Sequence, residues 1–575
     1  MKVKVARTAG FCRGVRRAVN IALDSARDKP HPISTLGPLI HNPHVVAMLE
    51  SHDVVASREI PGSGTVVIRS HGVTPDVIAE VQKRGLTLVD ATCPRVAGVH
   101  KIARARREKG YLIVVLGDKG HAEVDGIVGH AGGAMVIQGP EEVASLPDAD
   151  KICLVAQTTQ ERERFEETAR ALREKYQGLA PDGLIIADTI CDSTRNRQEE
   201  VRRLAREVDA MVVVGGRESA NTRRLAAAAQ EAGVPAFLVD TEDDLDREAL
   251  ARFRTVGLTA GASTPNWLIR RVHDELVKIG TPRTPLSRLV NALRWLILSN
   301  MYMAAGAAGL TLAASRAQGF TPWAREFLIS FLFAFAVHTM MLLSTPRALA
   351  LNVPARAKSF SRYRSRWIGA SLAAATAAIA LAWSIKAASG LFLLALVVVS
   401  LLYPVKLIPV KRGVVPIRSL LDIPGSKDIF MALGWAALVV LLPLLNHLPG
   451  RAPVLVTIAA LIMVMGMVFV RALLRDFRDI QADRLIGRET LPILLGAAKT
   501  RRLLFSTLVG VAIAVVIATL IGDVPRPLGY LLLIPLAYEA ACVPLFTRQT
   551  LLQGFRTEGI IDAAFLLAGG IALIA

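Results

Sequence analysis

Three cysteines carry the first chemical signal in this chain. Each stands where an apolar, β-branched run gives way to an amphipathic pattern: Val3-Lys4-Val5 leads to Cys12, Leu86 to Thr92 leads to Cys93, and Gly183 to Ile190 leads to Cys191. The helical patterns that follow open near Arg16, Val96 and Glu199. A helix N-terminus offers free N–H groups and partial positive charge, which favours thiolate over thiol. Three such thiols can converge on one centre. Structural zinc normally takes four protein ligands, often in close pairs. Three single cysteines from distant segments instead suit an iron–sulfur cluster with one iron open to substrate, with buried free thiols as the plain alternative. Cys153 and Cys542 lie inside apolar runs and read as packing residues. Five cysteines without a paired framework argue for reduced thiols.

The elements that must position these thiols are strands and the turns at their ends. Thr65–Ile68, Tyr111–Leu116, Met211–Val214 and Thr255–Leu258 read as strands, each followed by a polar, glycine-containing turn and then a helical pattern. This is α/β punctuation, with functional loops expected at the carboxyl ends of the strands. The turns hold His41, Ser70-His71-Gly72, His121 to Glu123, Gln157-Thr158-Thr159, Ser219 to Asn221, and Gly261 to Ser263. Histidines, hydroxyls and an amide at glycine-rich turns suit a phosphate or diphosphate, because imidazoles and backbone N–H groups both donate to its oxygens. One such residue alone is an ordinary capping serine or loop histidine; six loops together are not.

Composition changes near residue 285. Beyond it, uncharged apolar runs long enough to cross a bilayer recur at about 289–312, 325–344, 367–387, 390–405, 428–446, 452–474, 503–522, 527–546 and 560–575. The domains expected are therefore 1–280, a linker at 281–288 and a membrane body at 289–575. Met1 to Val5 starts a strand and is no signal peptide, since no apolar stretch follows the positive charges. Basic residues crowd the even loops: Arg347, Arg356, Lys358, Arg362, Arg364 and Arg366, then Lys406, Lys411, Arg412, Arg418 and Lys427, then Arg475, Arg478, Arg484, Arg488, Lys499, Arg501 and Arg502. The opposite loops hold little beyond Arg316, Arg325, Lys386, Arg451 and Arg526. The positive-inside bias places the head and these even loops in the cytoplasm, and an odd span count puts the C-terminus on the other side. Much of the formal net charge of +19 sits in these loops, so it speaks for a lipid bilayer partner and not for nucleic acid.

Over about residues 1–280 the sequence resembles the 4-hydroxy-3-methylbut-2-enyl diphosphate reductases, which close the non-mevalonate isoprenoid route. The resemblance rests on Gly10-Phe11-Cys12-Arg13-Gly14-Val15, Gly37-Pro38-Leu39-Ile40-His41-Asn42, Arg69-Ser70-His71-Gly72, Asp90-Ala91-Thr92-Cys93-Pro94, Gly120-His121-Ala122-Glu123-Val124, Gln157-Thr158-Thr159, Thr194 to Gln198 and Gly261-Ala262-Ser263. It implies three pseudo-repeated α/β units in a cloverleaf around a [4Fe–4S] cluster held by Cys12, Cys93 and Cys191. The substrate's hydroxymethyl oxygen would bind the fourth iron, two electrons would enter through the cluster, and the C–O bond would break to an allyl anion-like species. Protonation at either end would give isopentenyl or dimethylallyl diphosphate, with water as the other product. By the same resemblance His41, His71, His121, Thr158, Ser219, Asn221 and Ser263 are substrate-binding positions, Glu123 and Thr158 deliver the proton, and a reduced ferredoxin or flavodoxin-type donor supplies electrons. A carboxyl kept from water has a raised pKa and suits proton donation, with a hydroxyl as relay. Ala220 departs from the pattern, since many relatives carry a second serine there.

In the body, Asp476, Asp479 and Asp483 fall on one helix face at i, i+3 and i+7. Carboxylates so grouped hold Mg²⁺, and through it a diphosphate; the plain alternative is a solvated face paired with Arg475, Arg478 and Arg484. The string from Arg475 to Arg484, continued by Gly487-Arg488-Glu489-Thr490-Leu491-Pro492, resembles the second aspartate motif of the UbiA-type intramembrane prenyltransferases, and the resemblance implies nine transmembrane helices. Their first acidic motif should fall near 338–366, a stretch without Asp or Glu here. The body is then either an active Mg²⁺-dependent prenyltransferase supplied by the head, or a membrane attachment.

Overall fold

In the computed structural model the described residues are 1–279, 284–403, 405, 423, 425–447, 454–485, 490–522, 524–547 and 555–575. The chain divides into two compact units, Met1–Thr281 and Pro282–Ala575.

The first unit holds twelve strands in three parallel four-stranded sheets. In chain order they are β1 (Lys2–Val5), β2 (Ile33–Leu36), β3 (Val54–Ser57), β4 (Thr65–Ile68), β5 (Thr87–Asp90), β6 (Leu112–Leu116), β7 (Met135–Ile137), β8 (Ile152–Ala156), β9 (Leu184–Ile186), β10 (Ala210–Val214), β11 (Ala236–Val239) and β12 (Thr255–Ala260). The sheet orders are β3-β2-β4-β5, β7-β6-β8-β9 and β11-β10-β12-β1. These are one order written three times, the last with its fourth strand taken from the start of the chain. In each sheet it is this fourth, edge strand that leads to a cysteine.

Central strands are sealed on both faces by helices, and so they read as unbroken apolar runs. β8 and β10 are buried at every position, and Cys153 is fully buried within β8. β9 is shorter than its apolar run: it ends at Ile186, the Thr189 hydroxyl accepts from Ala156 N and donates to Ala156 O, and Cys191 follows.

The second unit is helical. Seven helices are long and apolar enough to cross a membrane among the described residues, and eight if one bent pair is a single span. That pair, Pro285–Leu298 and Met301–Ala317, meets at 74° where Asn300 adopts a left-handed φ of 67°. It replaces the continuous span expected at 289–312, and its first helix begins inside the expected linker. Asn300 is held at the bend by its amide donating to Thr339 Oγ1 at 3.0 Å. Ala387–Leu402 is a shorter apolar helix. Met301–Ala317 packs on Phe555–Ile574 through Gly309 and Gly569, where a Cβ on Gly569 would lie 2.5 Å from the Gly309 Cα. Such close approach substitutes for hydrophobic burial between helices in lipid. Val454–Leu485 runs on past its apolar part and carries Asp476, Asp479 and Asp483 on that extension. Lys406, Lys411, Arg412, Arg418, Arg451, the linker residues 281–283 and Gly487-Arg488-Glu489 lie outside the described residues, as do the side chains of Arg347 and Arg484.

Candidate functional site

The repeated strand order produces repeated loops. Cys12, Cys93 and Cys191 are the N-caps of the helices Arg13–Asp28, Pro94–Arg107 and Asp192–Ala205. The N–H of each cysteine donates to a neighbouring loop of its own sheet: Cys93 to Ser70 O at 2.9 Å, Cys191 to Thr158 O at 2.9 Å and Cys12 to Ala262 O at 3.1 Å. Each acceptor stands two residues past the end of the third strand of its sheet, β4, β8 or β12. The cysteine loops and the pocket loops are therefore one hydrogen-bonded assembly.

All three thiols line a single cavity of about 110 Å³. The Cys12 Sγ accepts from Val15 N at 3.3 Å, and a Cβ on Gly14 would stand 2.5 Å from the Cys93 Sγ and 3.9 Å from the Cys12 Sγ. Glycine at 14 thus leaves the space between two sulfurs clear. Burial raises the Cys93 thiol above its ordinary value; the N–H groups of Arg95 and Val96 oppose the rise without cancelling it, and Cys12 and Cys191 add to it, so in the free protein the helix start does not outweigh burial, contrary to the expectation from sequence. Thiol chemistry, helix starts and clearance all fit a cluster held by these three residues.

The same cavity is also lined by polar side chains. His41, His121 and Ser219 each stand five residues past the first strand of their sheet. The rings of His41, His71 and His121 lie 4.6, 5.5 and 5.6 Å apart between centroids, with one nitrogen of each within 4.8 Å of the others. Glu123 N donates to His121 Nδ1 at 3.1 Å, which leaves the proton of the neutral ring on Nε2. His41 Nε2, His71 Nδ1 and both amide atoms of Asn221 are buried without a hydrogen-bond partner. Ser263 Oγ donates to His41 O at 3.1 Å and so joins the loop after β12 to the loop after β2, in different sheets.

Burial lowers all three histidines. His121 falls to about 4, chiefly by desolvation and then by His41, and His71 lies well below its ordinary value. These imidazoles are neutral in the free protein at neutral pH. An entering anion raises them, so binding must take up protons. Titrating diphosphate into the protein at pH 6.5 in buffers of different ionisation heat is expected to show that uptake, and His41→Asn, which removes a ring whose Nε2 is unpartnered, to diminish it.

Glu123 is 2% exposed and grips one residue: its carboxylate accepts from Thr158 N at 2.6 Å and from Thr158 Oγ1 at 3.1 Å. Burial raises its pKa against the pull of those two bonds. A buried carboxyl with a hydroxyl beside it, in the cavity the thiols line, is placed to hold a proton and pass it on.

Residues 3–277 match the LytB protein family. The 4-hydroxy-3-methylbut-2-enyl diphosphate reductase of Clostridioides difficile (strain 630) is 39% identical over 278 residues, 47% of this chain and 98% of that protein. That of Pelobacter propionicus is 44% identical over 283 residues, 48% of this chain and 99% of that protein. The chain belongs to the 4-hydroxy-3-methylbut-2-enyl diphosphate reductase family. A solved reductase from Plasmodium falciparum is 28% identical, with TM-score 0.44, over 48% of this chain and 87% of that one. Residues 351–553 match the UbiA prenyltransferase family, so the reductase head is joined to a second family's domain.

In the UbiA-type body Asp476, Asp479 and Asp483 line one cavity of about 100 Å³ with His338, Asn352 and four cations, Arg356, Lys427, Arg475 and Arg478. The aspartates are buried and not on a solvated face. Lys427 pairs with Asp476, while Arg478 bonds Asp479 through Nε and Nη2, each at 2.7 Å. Glu558 gathers Arg356, Arg475 and Arg478 from below, the last two at 3.0 and 2.7 Å. The stretch expected to hold a first acidic motif contributes His338, Asn352 and Arg356 instead.

Several site-forming contacts escaped the sequence reading. Glu200 accepts from Arg7 N and Thr8 N, both at 2.8 Å, and fixes the loop before Cys12. Arg197, which the sequence reading placed in the Thr194 to Gln198 motif without a role, is buried and donates to Gly10 O at 2.6 Å. Arg224 reaches Asp118 at 2.7 Å beside the His121 turn. Nothing local marks these contacts, because every partner is distant in sequence.

Proposed function

We propose that the head carries out the reductive dehydroxylation of 4-hydroxy-3-methylbut-2-enyl diphosphate to isopentenyl and dimethylallyl diphosphate. The observation that supports this most is the single cavity lined by three thiols, three neutral imidazoles and Glu123. A [4Fe–4S] cluster on Cys12, Cys93 and Cys191, when bound, supplies the electrons and a binding place for the substrate hydroxyl. The chain's own residues do the rest. His41, His71, His121, Ser219, Asn221 and Ser263 bind the diphosphate oxygens, Ser263 by turning its hydroxyl from His41 O, and Thr158 lines the same pocket beside Glu123. Buried, unpartnered donors are costly when left so, and an anion repays that cost on binding. Glu123 holds the proton for carbon and Thr158 Oγ1 relays it; excluding water from the pocket keeps that carboxyl protonated. Overall an allylic alcohol takes two electrons and two protons, its C–O bond breaks, a C–H bond forms and water leaves.

We read the three equivalent sheets as a cloverleaf about the cluster, and the body as nine spans, counting the bent pair as one and Ala387–Leu402 as another. Head and basic loops face the cytoplasm, the C-terminus the other side, and a reduced ferredoxin or flavodoxin-type carrier donates electrons. The test is anaerobic purification of the whole protein in detergent and assay with a reduced dye and the hydroxylated five-carbon diphosphate; absence of both products refutes the reading.

For the body the convergence of three aspartates and four cations on one cavity favours a prenyl diphosphate site, with Mg²⁺ at Asp476, Asp479 and Asp483. If the body is a prenyltransferase, Mg²⁺-dependent release of diphosphate in the presence of lipid acceptors disappears in Asp476→Ala and in Asp479→Ala. If it only attaches the head to the membrane, both variants keep every activity of the parent.

A further inference from the structure

We propose that an acidic one-electron carrier protein docks on a cationic rim formed where the three cysteine-capped helices begin. The proposal rests on the reductase reading and adds the surface through which electrons enter. The five residues after each cysteine contain Arg13, Arg16, Arg17, Arg95 and Arg195, and a single acid, Asp192. Helix energetics oppose this arrangement, because the first turn carries partial positive charge and favours Asp or Glu. Neither the Cys12 helix nor the Cys93 helix has an acid in its first turn. The arginines there work against their own helices, which calls for another use.

Two contacts hold the three helix starts side by side. Arg17 Nη1 donates to Thr92 O at 2.9 Å, joining the Cys12 helix to the residue before Cys93. Arg95 pairs with Asp192, joining the Cys93 helix to the residue after Cys191, and the same carboxylate also takes Arg195. The rim thus carries five guanidiniums against one carboxylate, itself shared by two of them. Arg13, Arg17 and Arg95 are exposed and Arg195 is half-buried. Arg13 adjoins one thiol directly in the chain and Arg95 is two residues from another, so a protein seated on the rim stands beside the thiols. A concentrated positive rim steers an acidic partner and makes its association fall with salt. Each encounter oxidises the carrier by one electron, and two encounters serve one turnover, in which the allylic alcohol is reduced and water leaves.

The rival use for these arginines is to offset the negative charge of the thiolates, and one experiment separates the two. The full-length holoprotein in detergent is assayed with reduced flavodoxin over a range of NaCl, and separately with reduced methyl viologen, a small cation that needs no docking surface. Arg13→Glu is expected to lower kcat/KM for flavodoxin by about tenfold or more and flatten its salt dependence. The viologen rate should stay as in the parent, the affinity for oxidised flavodoxin measured by direct titration should fall along with kcat/KM, and Arg13→Lys should restore both. Equal losses with both reductants, or an unaltered flavodoxin rate and affinity, would overturn the docking surface. Absence of viologen turnover in the unmodified protein would instead refute the reductase reading, a distinguishable result.

Discussion

Serine in place of Cys12, Cys93 or Cys191 is expected to abolish the broad visible absorbance near roughly 400 nm that thiolate-bound iron–sulfur clusters give, and all turnover with it. The argument lies in where these residues sit. Each is a helix N-cap, and serine is among the best N-caps, so the exchange leaves the helix start sound. What it removes is the soft sulfur donor that iron–sulfur chemistry requires. The backbone bonds of residues 12, 93 and 191 to Ala262, Ser70 and Thr158 do not involve the side chain and persist. Loss of absorbance with intact far-UV circular dichroism therefore reports ligation and not folding. Cys153→Ala is the control: that thiol is fully buried within β8, and its loss should leave the absorbance in place. A serine variant that retained full absorbance would remove its cysteine from the ligand set.

Glu123→Gln is expected to keep the cluster and lower kcat by about 10²- to 10⁴-fold, the usual range for a lost general acid, with KM little changed. Glutamine keeps the shape and the carbonyl acceptor for Thr158 N, whose bond to Glu123 is 2.6 Å, but holds no transferable proton. Thr158→Val, which keeps that N–H and deletes the hydroxyl, should fall between the two. The pH profile carries the sign. Burial raises the Glu123 pKa, and the protonated form is the active one, so kcat of the parent should fall as pH rises through that raised value. The glutamine variant should lack this alkaline limb. An unchanged rate in Glu123→Gln would end the proton-donor assignment.

Local pattern made much of the head legible. β4 coincides with the apolar run Thr65–Ile68, and β5, β6, β10 and β12 lie within a residue or two of the runs that mark them. β2, β3, β7 and β11 carried no such signal, because their short runs are mixed with polar residues or lie beside long loops. In the body, hydropathy located the apolar helices but not their breaks. The bend at Asn300 depends on its bond to Thr339 on another helix, and the π-helical turn Ala437–Leu441 precedes Pro443, whose ring and missing N–H displace the regular ladder. The aspartate face at 476, 479 and 483 was legible as spacing; its burial among Lys427, Arg478 and Glu558 was not.

Residue type and local spacing alone determined the three thiols at helix starts, the polar turns, and the change from α/β punctuation to apolar spans, while the resemblance of whole motifs pointed to the family. Only the tertiary structure decided that β1 completes a sheet with β10, β11 and β12, so that one sheet order occurs three times and brings Cys12 into the same cavity as Cys93 and Cys191. The reason is physical: helix starts, turns and apolar periods are made by neighbours in sequence, whereas strand pairing satisfies backbone hydrogen bonds across any separation, here 253 residues between Lys2 and Thr255.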